Sequence, residues 1–171
     1  MRSLRFLIPG CALALLAACS PKYNWREAHG DKIQFTVLLP AKPASFSRQI
    51  DLNGLPVTMT MTAAEIDGVT FAVGAAELTD AAQAPKALES MRTALINNIG
   101  GTVRDASIPG KVEGGQVLDV VVAGVAHGQP AVLMARLLAR DKRIYQVLIV
   151  GGEKALTPDN IETFYTSFKP A

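Results

Sequence analysis

The side chains of this sequence with the most reactive chemistry belong to two cysteines and two histidines: Cys11, Cys19, His29 and His127. A cysteine thiolate is a nucleophile and a metal ligand, whereas an imidazole acts as a general base or as a metal ligand near neutral pH. The surroundings of each residue in the sequence decide which of these chemistries is open to it.

Cys19 ends the run Leu16-Ala17-Ala18-Cys19, which closes a short apolar stretch that begins at Phe6. Two arginines stand before the stretch, and a positive segment followed by an apolar core and small residues is the pattern of a secretory signal peptide. About eleven apolar residues are too few to cross a hydrocarbon core of roughly 30 Å, which needs about twenty. We therefore predict a signal peptide over residues 1–18.

The run at Cys19 resembles the lipobox of bacterial lipoprotein precursors. The resemblance implies that the thiol receives diacylglycerol, that the preceding bond is cut, and that the new amino group is acylated. The alternative is an ordinary signal-peptide cysteine, which does not explain the ordered succession of charge, apolar core, small residues and cysteine. Ser20 resembles the sorting signal of many outer-membrane lipoproteins. We therefore expect a lipid-anchored protein of the bacterial envelope, in the outer membrane and facing the periplasm.

The charge balance of the expected mature chain is even. The sequence has 17 basic and 15 acidic residues, and loss of Arg2 and Arg5 with the signal peptide leaves 15 of each. Nucleic-acid and anionic-membrane binders need an excess of Lys and Arg, so the composition argues against both. Cys11 is removed and Cys19 carries lipid, so no thiol remains for disulfides, zinc or nucleophilic catalysis. We expect no cofactor.

Alternating apolar and polar residues from Lys32 onward indicate strands joined by tight turns. Spacings of three and four between apolar residues indicate one helix through Leu88, Met91, Leu95 and Ile99. A second helix is indicated after Thr157-Pro158. Strands are predicted near 33–39, 46–52, 57–63, 69–78, 117–126, 131–140 and 144–150.

These elements predict an α+β fold, with a mainly antiparallel sheet of six to seven strands packed against two amphipathic helices. We predict one domain over residues 32–171, preceded by a lipid anchor and irregular tether over residues 19–31. Tyr23 and Trp25 in the tether suit a membrane interface because each joins an apolar ring to a polar tip. Packing on the domain is the alternative.

The strand Arg143-Ile144-Tyr145-Gln146-Val147, followed by Gly151-Gly152 and a helix containing Phe164-Tyr165-Thr166-Ser167-Phe168, resembles the PsbP-like family, which includes the Ran-binding Mog-type proteins. So does the opening strand Phe35-Thr36-Val37-Leu38-Leu39-Pro40. The resemblance covers about residues 32–169 in element order. It implies the same fold and a binding or assembly role, because most members of that fold are binding or assembly factors. It assigns no binding residue to this chain.

The histidines and the acidic turns lack the partners that catalysis or metal binding requires. His29 and Asp31 could supply two metal ligands, but zinc or iron needs three or four, and we favour a polar turn. His127 precedes Gly128 at an expected hairpin tip, with no nearby serine and carboxylate to form a triad. Asp51-Leu52-Asn53-Gly54 lacks the alternating acids of a calcium loop, and we favour a hairpin.

Positive charge is concentrated at Arg136, Arg140, Lys142 and Arg143. Arg136 and Arg140 share one face of the strand predicted near 131–140. The residues of the opposite face are apolar: Leu133, Ala135, Leu137 and Ala139. The cluster could contact an anionic partner. We favour the alternative that these charged side chains lie in solvent on a sheet face and edge, where they discourage aggregation.

Two classes of function remain open. The first is a non-catalytic binding or scaffolding domain that meets another envelope protein, favoured by the missing catalytic motifs and by the resemblance. The second is a ligand-binding protein or enzyme whose pocket is assembled from residues far apart in sequence. A deep pocket with converging charged groups would favour the second.

Overall fold

The computed structural model describes residues 22–171. The predicted signal peptide, Cys19 and Ser20 lie outside the described residues. Ten strands and two helices follow in chain order: β1 (Arg26–His29), β2 (Phe35–Leu39), β3 (Ala44–Asp51), β4 (Pro56–Ile66), β5 (Val69–Glu77), α1 (Ala84–Asn98), β6 (Thr102–Arg104), β7 (Gln116–Ala126), β8 (Gln129–Arg140), β9 (Arg143–Gly151), α2 (Pro158–Ser167) and β10 (Lys169–Pro170).

The predicted α+β fold is confirmed. Seven strands form one antiparallel sheet in the order β3-β4-β5-β9-β8-β7-β6, and both helices pack on it. Tight turns join its hairpins because Asn53-Gly54, Asp67-Gly68 and His127-Gly128 all have positive φ, as two-residue hairpin turns require. The predicted elements of this sheet match the observed ones to within a few residues.

The first predicted strand does not belong to that sheet. β2 pairs with β1 on one side and β10 on the other, and these three strands form a separate antiparallel sheet. The prediction of an irregular tether up to residue 31 is therefore wrong for β1, whose Ala28 is buried. A four-residue strand with one inward side chain has too little periodicity to distinguish from a polar linker.

Apolar side chains cover both faces of the large sheet. On one face α1 contributes Leu88, Met91 and Leu95, which pack with residues of β4, β7 and β8. On the other face α2 and the small sheet enclose Phe71, Tyr145 and Phe164, all almost fully buried. The large sheet is thus the middle layer of the domain, and little of it faces solvent except at its edges and ends.

The start of α2 lies at the predicted Thr157-Pro158 signal, and a glycine follows the end of α1. The side chain of Thr157 accepts a hydrogen bond from Asn160 N at 3.4 Å, and Pro158 is the first residue of α2. Gly100, directly after the cap of α1, has a φ of +53°, a conformation that glycine adopts without strain. Within residues 22–171, neither helix is long and apolar enough to cross a membrane.

The two ends of the large sheet differ in what they carry. We call the end with the Asp67-Gly68 and His127-Gly128 turns the Lys22 end, because Lys22 Nζ lies 2.5 Å from Asp67 Oδ2 there. We call the other end, with the turn at Asp141, the Lys142 end. The last described residue, Ala171, lies towards the Lys142 end, where its carbonyl accepts a hydrogen bond from Arg143.

Candidate functional site

Arg136 is buried, contrary to the expectation that the whole basic cluster would face solvent. Only 4% of the residue is exposed. Its Nε and Nη2 atoms donate to the two carboxylate oxygens of Asp119, at 2.9 and 2.8 Å. Asp119 lies directly opposite on β7, and this bidentate pairing matches the planar guanidinium. Arg136 is therefore unavailable to a partner, and its assignment to a contact surface is wrong.

The remaining donors of Arg136 hold the segment between β6 and β7. Nη1 donates to the carbonyl of Pro109 and Nη2 to that of Ile108, each at 3.1 Å. The guanidinium carbon also lies 5.9 Å from the ring centroid of Tyr165. The hydroxyl of Tyr165 donates to Met134 O at 2.7 Å, and burial raises the pKa of Tyr165 well above its usual value. This network joins β7, β8, α2 and a loop, which is a structural role.

The other basic residues of the cluster lie together at the Lys142 end. Arg140 donates to the carbonyls of Pro170 and Glu113, and Arg143 donates to that of Ala171 at 3.1 Å. Both arginines therefore help to hold the segment that follows α2. Lys142 is exposed at the turn between β8 and β9. The cluster is thus smaller than expected, and two of its three surface members already hydrogen-bond to the backbone.

Both histidines are exposed on the surface of the described domain. His29 Nε2 lies 3.2 Å from Glu27 Oε1, and 60% of the imidazole is exposed. His127 lies at the tip of the β7–β8 hairpin with a φ of +51°. In the part of the chain that the structure describes, no three His, Cys, Asp or Glu side chains are placed to hold a metal ion together. Asp51 Oδ1 accepts a hydrogen bond from Gly54 N at 2.6 Å, as a hairpin requires.

A groove of about 440 Å³ runs between β2 and α2. Its lining includes Glu27, Ser167 and Lys169, so it offers hydroxyl groups, one carboxylate and one ammonium group. Ser167 Oγ donates to Phe164 O at 2.7 Å and accepts from Leu38 N at 2.9 Å. The hydroxyl is thus held in the fold. A serine nucleophile needs an adjacent base, and no histidine lines this groove.

The surface that sequence reasoning missed is the outer edge of β3. This eight-residue strand is the terminal strand of the large sheet, and only Ile50 among its residues is partly buried. Phe46 is 55% exposed, the largest side chain among the exposed apolar residues. The strand was predicted from its alternation, but its edge position depends on which strands pair, which a single sequence does not show.

The edge of β3 that faces β4 is fully paired with that strand. The two strands pair over their full length, from Ala44 opposite Ala63 to Asp51 opposite Pro56. Two hydroxyl pairs reinforce the pairing: Ser45 with Thr62 at 3.0 Å, and Ser47 with Thr60 at 2.8 Å. The strand is therefore fixed in an extended conformation, and none of the described strands pairs with its other edge.

A comparison with models of protein families finds no family that matches this chain, and a comparison with curated proteins finds no relative. The resemblance to the PsbP-like family therefore stays a prediction, and the assignment of function depends on the geometry described above.

Proposed function

We propose that this chain is a lipid-anchored protein of the bacterial envelope, in the outer membrane and facing the periplasm, whose domain binds another protein instead of catalysing a reaction. The anchor is proposed from the run that ends at Cys19. The binding role is supported by how the ionisable groups are used. Arg136 and Asp119 are paired inside the fold, and residues 22–171 place no three His, Cys, Asp or Glu side chains to hold a metal ion together.

The single observation that carries the binding role is the open edge of β3. An exposed edge strand presents unpaired backbone N–H and C=O groups, and an extended peptide can add to it as a further strand. Natural proteins usually shorten, cover or charge such edges, whereas β3 is eight residues long and has one basic residue, Arg48, and one acidic residue, Asp51 at its end. An edge this long, with only one charged side chain before its last residue, is favourable for strand addition.

The side chains of β3 define the chemistry of the partner segment. Phe46 and Arg48 lie on the same face of the strand, two residues apart, and both are exposed. An added strand places its own side chains beside them. We therefore propose an extended partner segment with an apolar residue beside Phe46 and an acidic residue beside Arg48. A second copy of β3 fits less well because it brings another arginine to this edge.

Recovery of the partner from native membranes tests this proposal. The acylated chain is purified in mild detergent, and co-purifying proteins are quantified for the wild type, Phe46→Asp and Val117→Asp. Val117 is a matched control, because it is an exposed apolar strand residue, 43% accessible, on β7 far from β3. We expect a stoichiometric partner that Phe46→Asp loses and Val117→Asp retains. Equal recovery by all three chains would contradict the use of this edge, and recovery of only further copies of the chain would make it a self-association site.

A further inference from the structure

The first described residues of the chain are already packed on the domain. Tyr23 and Trp25 stack on each other with ring centroids 5.8 Å apart, and both meet Phe71 edge to face, at 6.4 and 5.9 Å. Between them, Asn24 N donates to Pro40 O at 2.9 Å. The ion pair of Lys22 with Asp67 holds the chain at the turn between β4 and β5. The chain is therefore held against the domain from Lys22 onward.

Three peptide units separate Lys22 from Cys19, and they span at most about 11 Å when fully extended. If Cys19 carries lipid, as the proposed function holds, its acyl chains are buried in the bilayer, so this sulfur lies at the membrane surface. The backbone of Lys22 then lies within about 11 Å of that of Cys19. The Asp67-Gly68 turn, which the Lys22 side chain contacts, lies one side-chain contact further from the membrane surface. The tether is too short for the domain to turn freely.

The β7–β8 turn lies beside the β4–β5 turn at this same end. A groove of about 270 Å³ between the two turns is lined by Glu65 and Gly68 from one and by His127 and Pro130 from the other. The strand register also places both turns at this end. Thr70, just after the β4–β5 turn, pairs with Val150 of β9, and Val132, just after the β7–β8 turn, pairs with Gly151 of β9. Both turns would therefore meet the bilayer together.

The surface of the Lys22 end is suited to such contact. Val125 is 53% exposed and lies opposite the exposed Pro130 across the β7–β8 hairpin, so two apolar side chains project at the tip. Asp67 is paired with Lys22, and Glu153 is paired with Arg104 at 2.7 Å. Two acidic side chains of this end that would repel anionic headgroups are thus neutralised, whereas the exposed Glu65 makes no ion pair among the described residues. The expected neutral charge of the mature domain means that the anchor and the apolar tip, not net charge, direct the contact.

We propose that the Lys22 end of the domain rests on the headgroup surface of the membrane that carries the anchor, with Val125 and Pro130 against the lipid. The Lys142 end then points away from the bilayer, with its basic residues towards the periplasm. The open edge of β3 stands clear of the membrane along most of its length. This inference rests on the proposed lipid anchor, and it adds an orientation that the anchor alone does not fix.

Two positions on one strand test the orientation. Val125 and Val117 both lie on β7 and both are exposed, at 53% and 43%. They share a face because they are eight residues apart, which is about 26 Å along a strand. With Cys11 removed and the Cys19 thiol lipidated, a cysteine placed at either position is the only free thiol. Each is labelled with a fluorophore on the acylated full chain.

The labelled chains are placed in vesicles of phosphatidylethanolamine and phosphatidylglycerol that contain a lipid with a nitroxide on its headgroup. We expect the label of Val125→Cys to be quenched several-fold more than that of Val117→Cys. Gln129→Cys, at the exposed start of β8, and Lys142→Cys, on the exposed turn before β9, provide a second pair with the same expected order.

Intact-mass measurement on the same samples separates the two proposals. If Cys19 is acylated and the labels at the two ends are quenched equally, or the Lys142 end is quenched more, the orientation is wrong and the anchor stands. If Cys19 is not acylated, the anchor is wrong and the orientation fails with it.

Discussion

Removal of the Asp119 carboxylate is the perturbation whose cost the structure defines most fully. Asp119→Ala deletes both hydrogen bonds to Arg136 and leaves a guanidinium whose side chain is only 5% exposed. Breaking one partner of a buried ion pair costs about 3 to 5 kcal/mol, because the other charge stays buried without compensation. Arg136 keeps two carbonyl acceptors, and Asp119 is 31% exposed, so water reaches the site. We therefore expect a loss of about 3 kcal/mol, at the lower end of that range.

Urea unfolding of residues 22–171 measures this loss, with fluorescence of Trp25, the single tryptophan, as the signal. A loss of about 3 kcal/mol corresponds to a fall in Tm of about 6 to 12 °C for a domain of this size. Asp105→Ala is the matched control, because this exposed aspartate lies in the loop after β6 and makes no ion pair among the described residues. We expect it to change stability by less than about 0.5 kcal/mol.

A double variant tests the physical reason for the loss. Asp119→Ala combined with Arg136→Met removes both charges and fills part of the space with an apolar chain. Replacing a buried ion pair by apolar residues is often close to neutral, so we expect the double variant to recover most of the loss. A loss below about 1 kcal/mol for Asp119→Ala, or no recovery in the double variant, would refute the view that Arg136 depends on its partner.

Four further outcomes follow from the same structure. Phe164→Ala should lower the free energy of unfolding by about 3 to 5 kcal/mol in urea titrations, because Phe164 is fully buried, and wild-type unfolding would contradict its place in the core. Burial raises the pKa of Tyr165 in the native state above the value near 10 that the unfolded chain has. The resulting stabilisation is fully present below about pH 10 and is lost as the pH rises further, so the free energy of unfolding should fall there. Tyr165→Phe should make that fall smaller in melts measured across this pH range. Cys19→Ser should abolish acylation and cleavage, which membrane fractionation and intact mass detect; an acylated variant would refute the lipobox assignment. His127→Ala should leave partner recovery and melting unchanged, whereas loss of a measurable turnover with the fold intact would indicate an enzyme.

Strands and helices with strong periodicity were predictable from the sequence. Leu88, Met91 and Leu95 recur at helical spacing, and all three are buried in α1. The turn at Asn53-Gly54 has the positive φ that its residue types favour. In these segments local preference and tertiary packing agree, so a single sequence is sufficient.

Properties that depend on the pairing of distant segments were not predictable. Arg136 was interpreted as a surface residue because it shares a strand face with Arg140, but burial of this part of the face follows from α2 and the segment containing Ile108. β1 was missed because it is short and pairs with a strand outside the large sheet. The open edge of β3 was not predictable either, because it depends on which strands pair in the sheet.

Amide hydrogen exchange of the acylated chain, alone and with the partner recovered from native membranes, tests the central claim most directly. Addition of a partner strand would give the outward-facing amides of β3 new hydrogen bonds, so we predict slower exchange over Ala44–Asp51 in the complex and unchanged exchange in β6, the strand at the opposite edge. A stoichiometric complex in which β3 exchanges as fast as in the free chain would contradict the claim.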